Sequence, residues 1–389
     1  MIPYGRQSID EDDINVVVDT LKSSWLTQGP AVPAFEKSLT QFCGAEHAVA
    51  VNSATSALHL ACLALGVQQN DIVWTSPNSF VASANCAIYC GATVDFVDIE
   101  PNTGNISVNA LDAKLAQAKE QRALPKALIP VHFAGQSCDM KAIATLAKKY
   151  NFCVIEDASH AIGAKYCERP VGSCQYSDIT VFSFHPVKII TTMEGGAALT
   201  NNGELARQMQ LMRSHGVTAN KDEMTEVPHG PWYYQQVQLG FNYRMNDVEA
   251  ALGTSQLAKL EQFVEQRNEL ASFYNDAFKQ QDKISPLEVI TDCYSSYHLY
   301  VIRCTGLSSN SHKAAIEALR EKGIFAHVHY IPIHLQPYYQ KLGFKKGDYP
   351  QAEQYYEHAI TLPLYPSLNR AEAQYVVDTT VDIVNQLSR

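Results

Sequence analysis

In SFHPVKIITTMEGGAALT, residues 183–200, Lys188 sits between an apolar strand pattern and a diglycine. A serine, a histidine, a proline and a glutamate surround it. A lysine amine condenses with an aldehyde only when neutral, and a partly desolvated apolar setting lowers its pKa toward working pH. Ser183 lies five residues before Lys188, a span of about 16 Å when fully extended. For both to touch one small ligand the chain must turn between them, and Pro186 is the expected place. Gly195 and Gly196 would let backbone pass close to a bulky ligand. The ordinary alternative is a surface lysine on a loop.

Two other stretches carry complementary chemistry. NSATSAL, residues 52–58, runs from a strand end into a helix start. Small residues there let backbone N–H groups approach an anion, which a helix N-terminus favours. Thr55 and Ser56 add hydroxyls, although plain N-capping by Ser53 or Thr55 explains the same residues. IEDASHA, residues 155–161, places Asp157 just past the apolar run Phe152 to Ile155, with His160 three residues on. A carboxylate at a strand end could hold a heterocyclic nitrogen protonated; a loop aspartate capping the next turn is the plainer reading. Taken together, an anion cradle, a carboxylate and a Ser…Lys pair match the needs of pyridoxal 5′-phosphate. That cofactor requires a grip on its phosphate, an acid at its ring nitrogen and a lysine for its aldehyde.

Those residues must be positioned by a sheet. From about residue 47 the chain alternates apolar runs with helical segments: 47–51, 71–76, 93–99, 127–133 and 152–158 read as strands, with helices of 10–15 residues between them. This spacing implies βαβ units and a mostly parallel sheet. The runs 180–185 and 195–200 add strands with shorter connections, one of them a candidate for antiparallel pairing. Ligands of open α/β sheets bind beyond the carboxyl ends of the strands. The expected division is an N-terminal arm and large cofactor domain over 1–245, then a smaller α+β domain over 246–389. The second part reads as one long helix over 246–278, a strand at 296–304, a helix at 311–323, a strand at 324–331 and two closing helices.

The bulk properties exclude several function classes. The chain has 389 residues, 46% of them hydrophobic, with a formal net charge of −10. That charge argues against nucleic acid as a partner. Ten cysteines without a CxxC pair argue against structural zinc and for reduced thiols in a cytoplasm. MIPYGRQSIDEDD lacks the basic-then-apolar pattern of a signal peptide, and no apolar run approaches the roughly 20 residues of a membrane helix.

The motifs LTQGP, NSATSAL, EDASHAIGA, SFHPVK, EGGA, RSHG and GFNYRMND stand in this order along the chain. On them the chain resembles the DegT/DnrJ/EryC1/StrS nucleotide-sugar aminotransferases over nearly its whole length. The resemblance implies an α/β, aspartate-aminotransferase-like fold (fold type I) and a homodimer with shared active sites. It implies that Lys188 is the Schiff-base lysine and proton shuttle, and that Asp157 pairs the ring nitrogen. His160 would approach the cofactor's phenolic oxygen or ring, Phe80 would stack on the ring face, and Ala54, Thr55 and Ser183 would hold the phosphate. Asn242 would reach the phosphate of the neighbouring subunit. Lysine rather than histidine at position 188 separates the chain from the family's dehydratase branch. Met193 departs from the Gly or Ala that relatives often carry before EGG.

For the substrate, the resemblance points to Tyr4, Ser24, Trp25, Leu26, Thr27, His329 and Tyr330. The alternative for each aromatic is ordinary packing. His327, His329 and His334 fall in an HxH-plus-His pattern, but no metal is expected. NSATSALHL, SFHPVKIITT with RSHG, and VHYIPIHLQPYY with LPLYPSL resemble the branch serving pseudaminic acid synthesis. The implied reaction moves an amino group from L-glutamate to C4 of a UDP-linked 4-keto-6-deoxy sugar. Perosamine-, viosamine- or 4-amino-arabinose-type sugars, or a non-catalytic regulator on the same fold, are the alternatives.

Overall fold

The computed structural model describes residues 1–388. Its elements begin with β1 (Ile2–Pro3), α1 (Glu11–Lys22) and α2 (Ala31–Cys43). Strands and helices then alternate as β2 (His47–Val51), α3 (Ala54–Ala64), β3 (Ile72–Thr75), α4 (Ala82–Tyr89), β4 (Thr93–Phe96), α5 (Val108–Glu120), β5 (Ala127–Ile129), α6 (Met140–Tyr150) and β6 (Cys153–Asp157). After a hairpin of β7 (Lys165–Tyr166) and β8 (Arg169–Pro170) come β9 (Ile179–Ser183), β10 (Gly196–Thr200) and α7 (Gly203–Arg213). Two helices, α8 (Asp247–Leu257) and α9 (Leu260–Phe278), lead into the last third.

The central sheet has seven strands in the order β2-β10-β9-β6-β5-β3-β4. All run parallel except β10, which is antiparallel to both β2 and β9. The interior strands are apolar on both faces because helices cover both sides; every residue of β9 and β10 is buried. The reversal of β10 has a geometric consequence. Gly196, its first residue, stands opposite Val51 and Ser183, the last residues of β2 and β9. The start of one strand and the ends of two others therefore share one edge of the sheet, and Asp157 closes β6 on that edge as well.

The last third packs a three-stranded antiparallel sheet of Ser285–Pro286, Tyr300–Arg303 and Ala359–Leu362 against helices Ser309–Glu321 and Arg370–Leu387. β1 pairs with Ile324–Phe325, and Ile2 joins this second core beside Ile324 and Ile360. The change of core falls inside α9: Leu260, Phe263 and Val264 pack with Phe35 and Phe184, while Ala271, Tyr274 and Phe278 pack with Tyr300 and Ile302.

Several elements differ from the sequence reading. Instead of the two closing helices expected there are three, Pro337–Lys341, Pro350–His358 and Arg370–Leu387, with the strand Ala359–Leu362 among them, and the strand expected over 296–304 spans Tyr300–Arg303. The single helix expected over 246–278 breaks between Leu257 and Leu260. There the Lys259 ammonium turns to pair with Asp10 and, at 2.9 Å, with Asp13. The strand expected over 324–331 stops at Phe325; beyond it His327 makes one isolated bridge to Thr361, and His329 anchors to the same threonine. The strand expected over 127–133 ends at Ile129, since Pro130 follows and Phe133–Gly135 forms a 3-10 turn.

Candidate active site

A cavity of about 550 Å³ opens at this edge of the sheet, between the large body and the segment carrying His329. One wall is the first turn of α3. Ser53 caps the helix by accepting Ser56 N–H at 3.1 Å. By helix geometry the Ala54 and Thr55 amides have no intrahelical acceptor, and both residues line the cavity. Capping and an anion cradle thus coexist in NSATSAL. A Cβ at position 196 would lie 2.4 Å from Ala54 N, so only glycine lets β10 run against this turn. Ser183 completes the wall.

Lys188 reaches the cavity through a turn. Its N–H donates to His185 O at 2.9 Å, closing a four-residue turn with Pro186 second, a position proline favours. This turn lets Ser183 and Lys188 line one cavity. The lysine is half-buried. Desolvation pushes its pKa down to about 8, against the opposing pull of the Asp157 carboxylate. With that pKa about a tenth of the amine is neutral at pH 7, enough for it to act as a nucleophile and a proton carrier.

Asp157 is buried and surrounded by donors. Its Oδ1 accepts Ser159 Oγ at 2.6 Å and Ser159 N–H at 3.2 Å, and its Oδ2 accepts Ser83 Oγ at 2.6 Å. His160 lies beside it, with Nε2 3.1 Å from the Tyr330 hydroxyl. Its Nδ1 is buried with no partner. Burial, then the charge of Lys188, holds this imidazole well below its ordinary pKa, so it serves as a neutral ring. Phe80 lines the cavity with its ring 60% exposed, an open aromatic face beside a polar floor.

The substrate residues expected from the sequence divide. Tyr4, His329 and Tyr330 line the cavity. His329 Nδ1 lies 2.9 Å from Thr361 Oγ1, and its ring stacks on His327 at 4.6 Å. Burial, then His327 and Lys188, pushes its pKa down to about 3. Ser24, Trp25, Leu26 and Thr27 do not line this cavity; they form an exposed loop beside Gly29, whose N–H donates to Asp247. Asn242 is also outside its own chain's cavity, in an isolated bridge to Ser214. His334 is committed to Glu353 at 2.9 Å. Among the described residues no group of three or more His, Cys, Asp or Glu is arranged to hold a metal.

Several residues at the site carried no sequence signal that was read. His185 and Glu194 line the cavity mouth, 4.0 Å apart. His298 packs its ring 4.5 Å from that of His160. Ser159 was legible in principle, since a serine two residues after an aspartate can bond its carboxylate. Ser83, from α4, was not, because only the fold brings it to Asp157. Together, a partly neutral amine, a carboxylate opposite it and a set of free amides can hold a ligand that carries both an aldehyde and a phosphate.

Comparison with known proteins agrees. The profile of the DegT/DnrJ/EryC1/StrS aminotransferase family matches residues 7–381. A Campylobacter jejuni protein named UDP-4-amino-4,6-dideoxy-N-acetyl-beta-L-altrosamine transaminase is 40% identical over 389 residues, covering 100% of this chain and 99% of that one. Among solved structures, Helicobacter pylori PseC, an aminotransferase involved in the biosynthesis of pseudoaminic acid, matches with a TM-score of 0.90 and 34% identity over 99% of both chains. The putative sugar aminotransferase Spr1654 from Streptococcus pneumoniae matches in its PMP form with a TM-score of 0.91 and 31% identity over 100% of both chains. Its PLP form matches with a TM-score of 0.89. With the motifs in order, the sheet edge that gathers them and these full-length likenesses, the chain belongs to the DegT/DnrJ/EryC1/StrS aminotransferase family.

Proposed function

We propose that this chain is a pyridoxal 5′-phosphate-dependent aminotransferase that moves the amino group of L-glutamate to C4 of UDP-2-acetamido-2,6-dideoxy-β-L-arabino-hexos-4-ulose, a step of pseudaminic acid synthesis. The observation that carries this reading is the Lys188 amine, its pKa lowered to about 8 by burial, in one cavity with Asp157 and the α3 amides. The residues fit the cofactor. Gly196 keeps the amide cradle open where a Cβ would close it, and His160 Nδ1 is a buried polar atom still lacking a partner. When bound, pyridoxal phosphate supplies an electron sink and a carrier for the amino group.

The chain's own residues then divide the work. Ala54, Thr55 and Ser183 would grip the phosphate. Asp157 would accept the ring N–H and thereby keep the ring cationic. Phe80 and His160 would confine the ring. Lys188 would hold the aldehyde through its amine and, when displaced, would carry a proton from the donor's α-carbon and deliver one to the sugar's C4. Tyr4, His329 and Tyr330 orient the sugar nucleotide.

Asn242 lies in an exposed segment with Trp232, Tyr234 and Leu239, which supports a homodimer in which Asn242, and the loop Ser24 to Thr27, serve the neighbouring site. Ten free thiols favour a reducing cytoplasm. The deciding assay offers a panel of nucleotide-linked 4-keto sugars with L-glutamate and identifies the product. The expected outcome is a new amine at C4 of the UDP-linked 2-acetamido sugar. Preferential turnover of a perosamine, viosamine or 4-amino-arabinose precursor would reassign the substrate, and no turnover of any would remove the enzyme reading.

A further inference from the structure

Two serines, Ser79 and Ser83, form a chain of hydroxyls that ends on Asp157. Ser83 Oγ lies 2.6 Å from Asp157 Oδ2, and Ser79 Oγ lies 2.7 Å from Ser83 Oγ. All three side chains are buried. A carboxylate only accepts hydrogen bonds, so Ser83 must donate to it. The alternative acceptor of Ser83, Phe80 O, is at 3.3 Å, a longer and weaker contact. With its proton committed, the Ser83 oxygen accepts from Ser79, whose residue lines the cavity. The two hydroxyls thus form a directed relay ending on Asp157.

Counting acceptor positions shows what the relay does. Each carboxylate oxygen takes about two hydrogen bonds. Oδ1 already has two, both from Ser159. Oδ2 has one, from Ser83, and keeps one position open. We propose that Ser83, oriented by Ser79, is a positioning residue that fixes the rotation of the Asp157 carboxyl, leaving one acceptor position, on Oδ2, for the nitrogen of the cofactor ring. This rests on the cofactor assignment above. Removing the Ser83 hydroxyl leaves the carboxyl held at Oδ1 alone by Ser159, so Oδ2 gains a second open position and loses the bond that fixes its tilt.

The test compares Ser83→Ala, Ser83→Thr, Asp157→Ala and the Ser83→Ala/Asp157→Ala double variant, loaded with pyridoxal 5′-phosphate. Ser83→Ala is expected to retain cofactor but to shift the pH dependence of the visible band of the lysine-bound form. Its amino transfer from glutamate should slow on the order of tenfold in kcat, with little change in KM. Ser83→Thr, which keeps the hydroxyl, should restore both. In the Asp157→Ala background the serine change should cost nothing more, because Ser83 acts through Asp157. An unaltered band and rate in Ser83→Ala, or a full additional loss in the double variant, overturns the assignment. If Ser83→Ala does not fold, Ser79→Ala decides, with a smaller shift of the same sign expected and an unmoved band refuting it. Infrared difference spectra of the cofactor-free protein, with Asp157→Asn marking the carboxylate band, give a readout independent of the cofactor. Ser83→Ala should move that band, and an unmoved band refutes the relay. A wild-type protein that forms no lysine-bound species would instead sink the cofactor reading while the infrared result still stands.

Discussion

In the role proposed for it, Lys188 captures an aldehyde only as the free amine, so its pKa sets the pH at which the site loads. Desolvation lowers that pKa to about 8, and Asp157 resists the shift. The neutral fraction therefore grows as pH rises toward about 8 and levels off above it. The rate at which cofactor-free protein captures pyridoxal phosphate should follow, falling about tenfold per pH unit below the inflection; stopped-flow absorbance measures it. An inflection near the ordinary lysine value would mean the amine is not desolvated. Lys188→Ala should fold normally yet lose the lysine-bound band, and borohydride reduction followed by mass spectrometry should find cofactor tethered at position 188 only in the wild type. A tether at another lysine would displace Lys188 from its role. His160 belongs to the same scale: its neutral state follows from burial and the nearby Lys188 charge, which composition does not reveal.

Between β9 and β10 the chain passes close to a neighbouring helix. Gly196 starts β10 against the first turn of α3, and a Cβ there would meet Ala54 N at 2.4 Å and Ser53 C at 2.6 Å. Neither is the end of a flexible side chain, so the strand or the helix must shift. Gly196→Ala should therefore weaken cofactor binding by at least about tenfold, consistent with lost phosphate contacts, with a smaller effect on melting temperature; equilibrium dialysis against pyridoxal phosphate reads it. Met193, three residues earlier, sits at φ 71°, where a side chain is strained and glycine is not. A glycine at this position would be free of that strain, whereas an alanine would share it. Met193→Gly should raise or leave unchanged the unfolding free energy, by up to about 1 kcal/mol, in denaturant melts. A clear destabilisation would show that its half-exposed side chain is held by contacts that outweigh the strain.

Two of the molecule's cores are joined through α9 and through the N-terminal strand, which crosses to pair with Ile324–Phe325. Tyr4 thereby reaches a cavity walled by the edge of the central sheet on one side and by residues 327–331 of the last third on the other. Asn242, by contrast, stays outside that cavity, and the proposed dimer gives it a place. If each site takes Lys188 from one protomer and Asn242 from the other, then two inactive variants, Lys188→Ala and Asn242→Ala, should complement. Refolded together at equal amounts, they form mixed dimers with one intact site, recovering about a quarter of wild-type activity by random pairing. No recovery, with Asn242→Ala alone impaired, would place Asn242 in its own chain's site.

The sequence alone determined the alternation of strands and helices up to Thr200, because apolar runs of strand length and helices of regular length are local patterns. It also singled out Lys188, Asp157, Ser53 to Thr55 and Gly196, whose residue types suit an amine nucleophile, an acid, an anion cradle and a close backbone approach. What it could not decide was everything set by contacts between distant segments. At the break between α8 and α9, Lys259 pairs with Asp10 and Asp13, more than two hundred residues away. The strand expected through His329 is cut short where Thr361 takes the histidine. Ser83 meets Asp157 across 74 positions of sequence. Local propensity records what a residue prefers; burial, directed hydrogen bonds and the reversal of β10 arise only when the chain closes on itself.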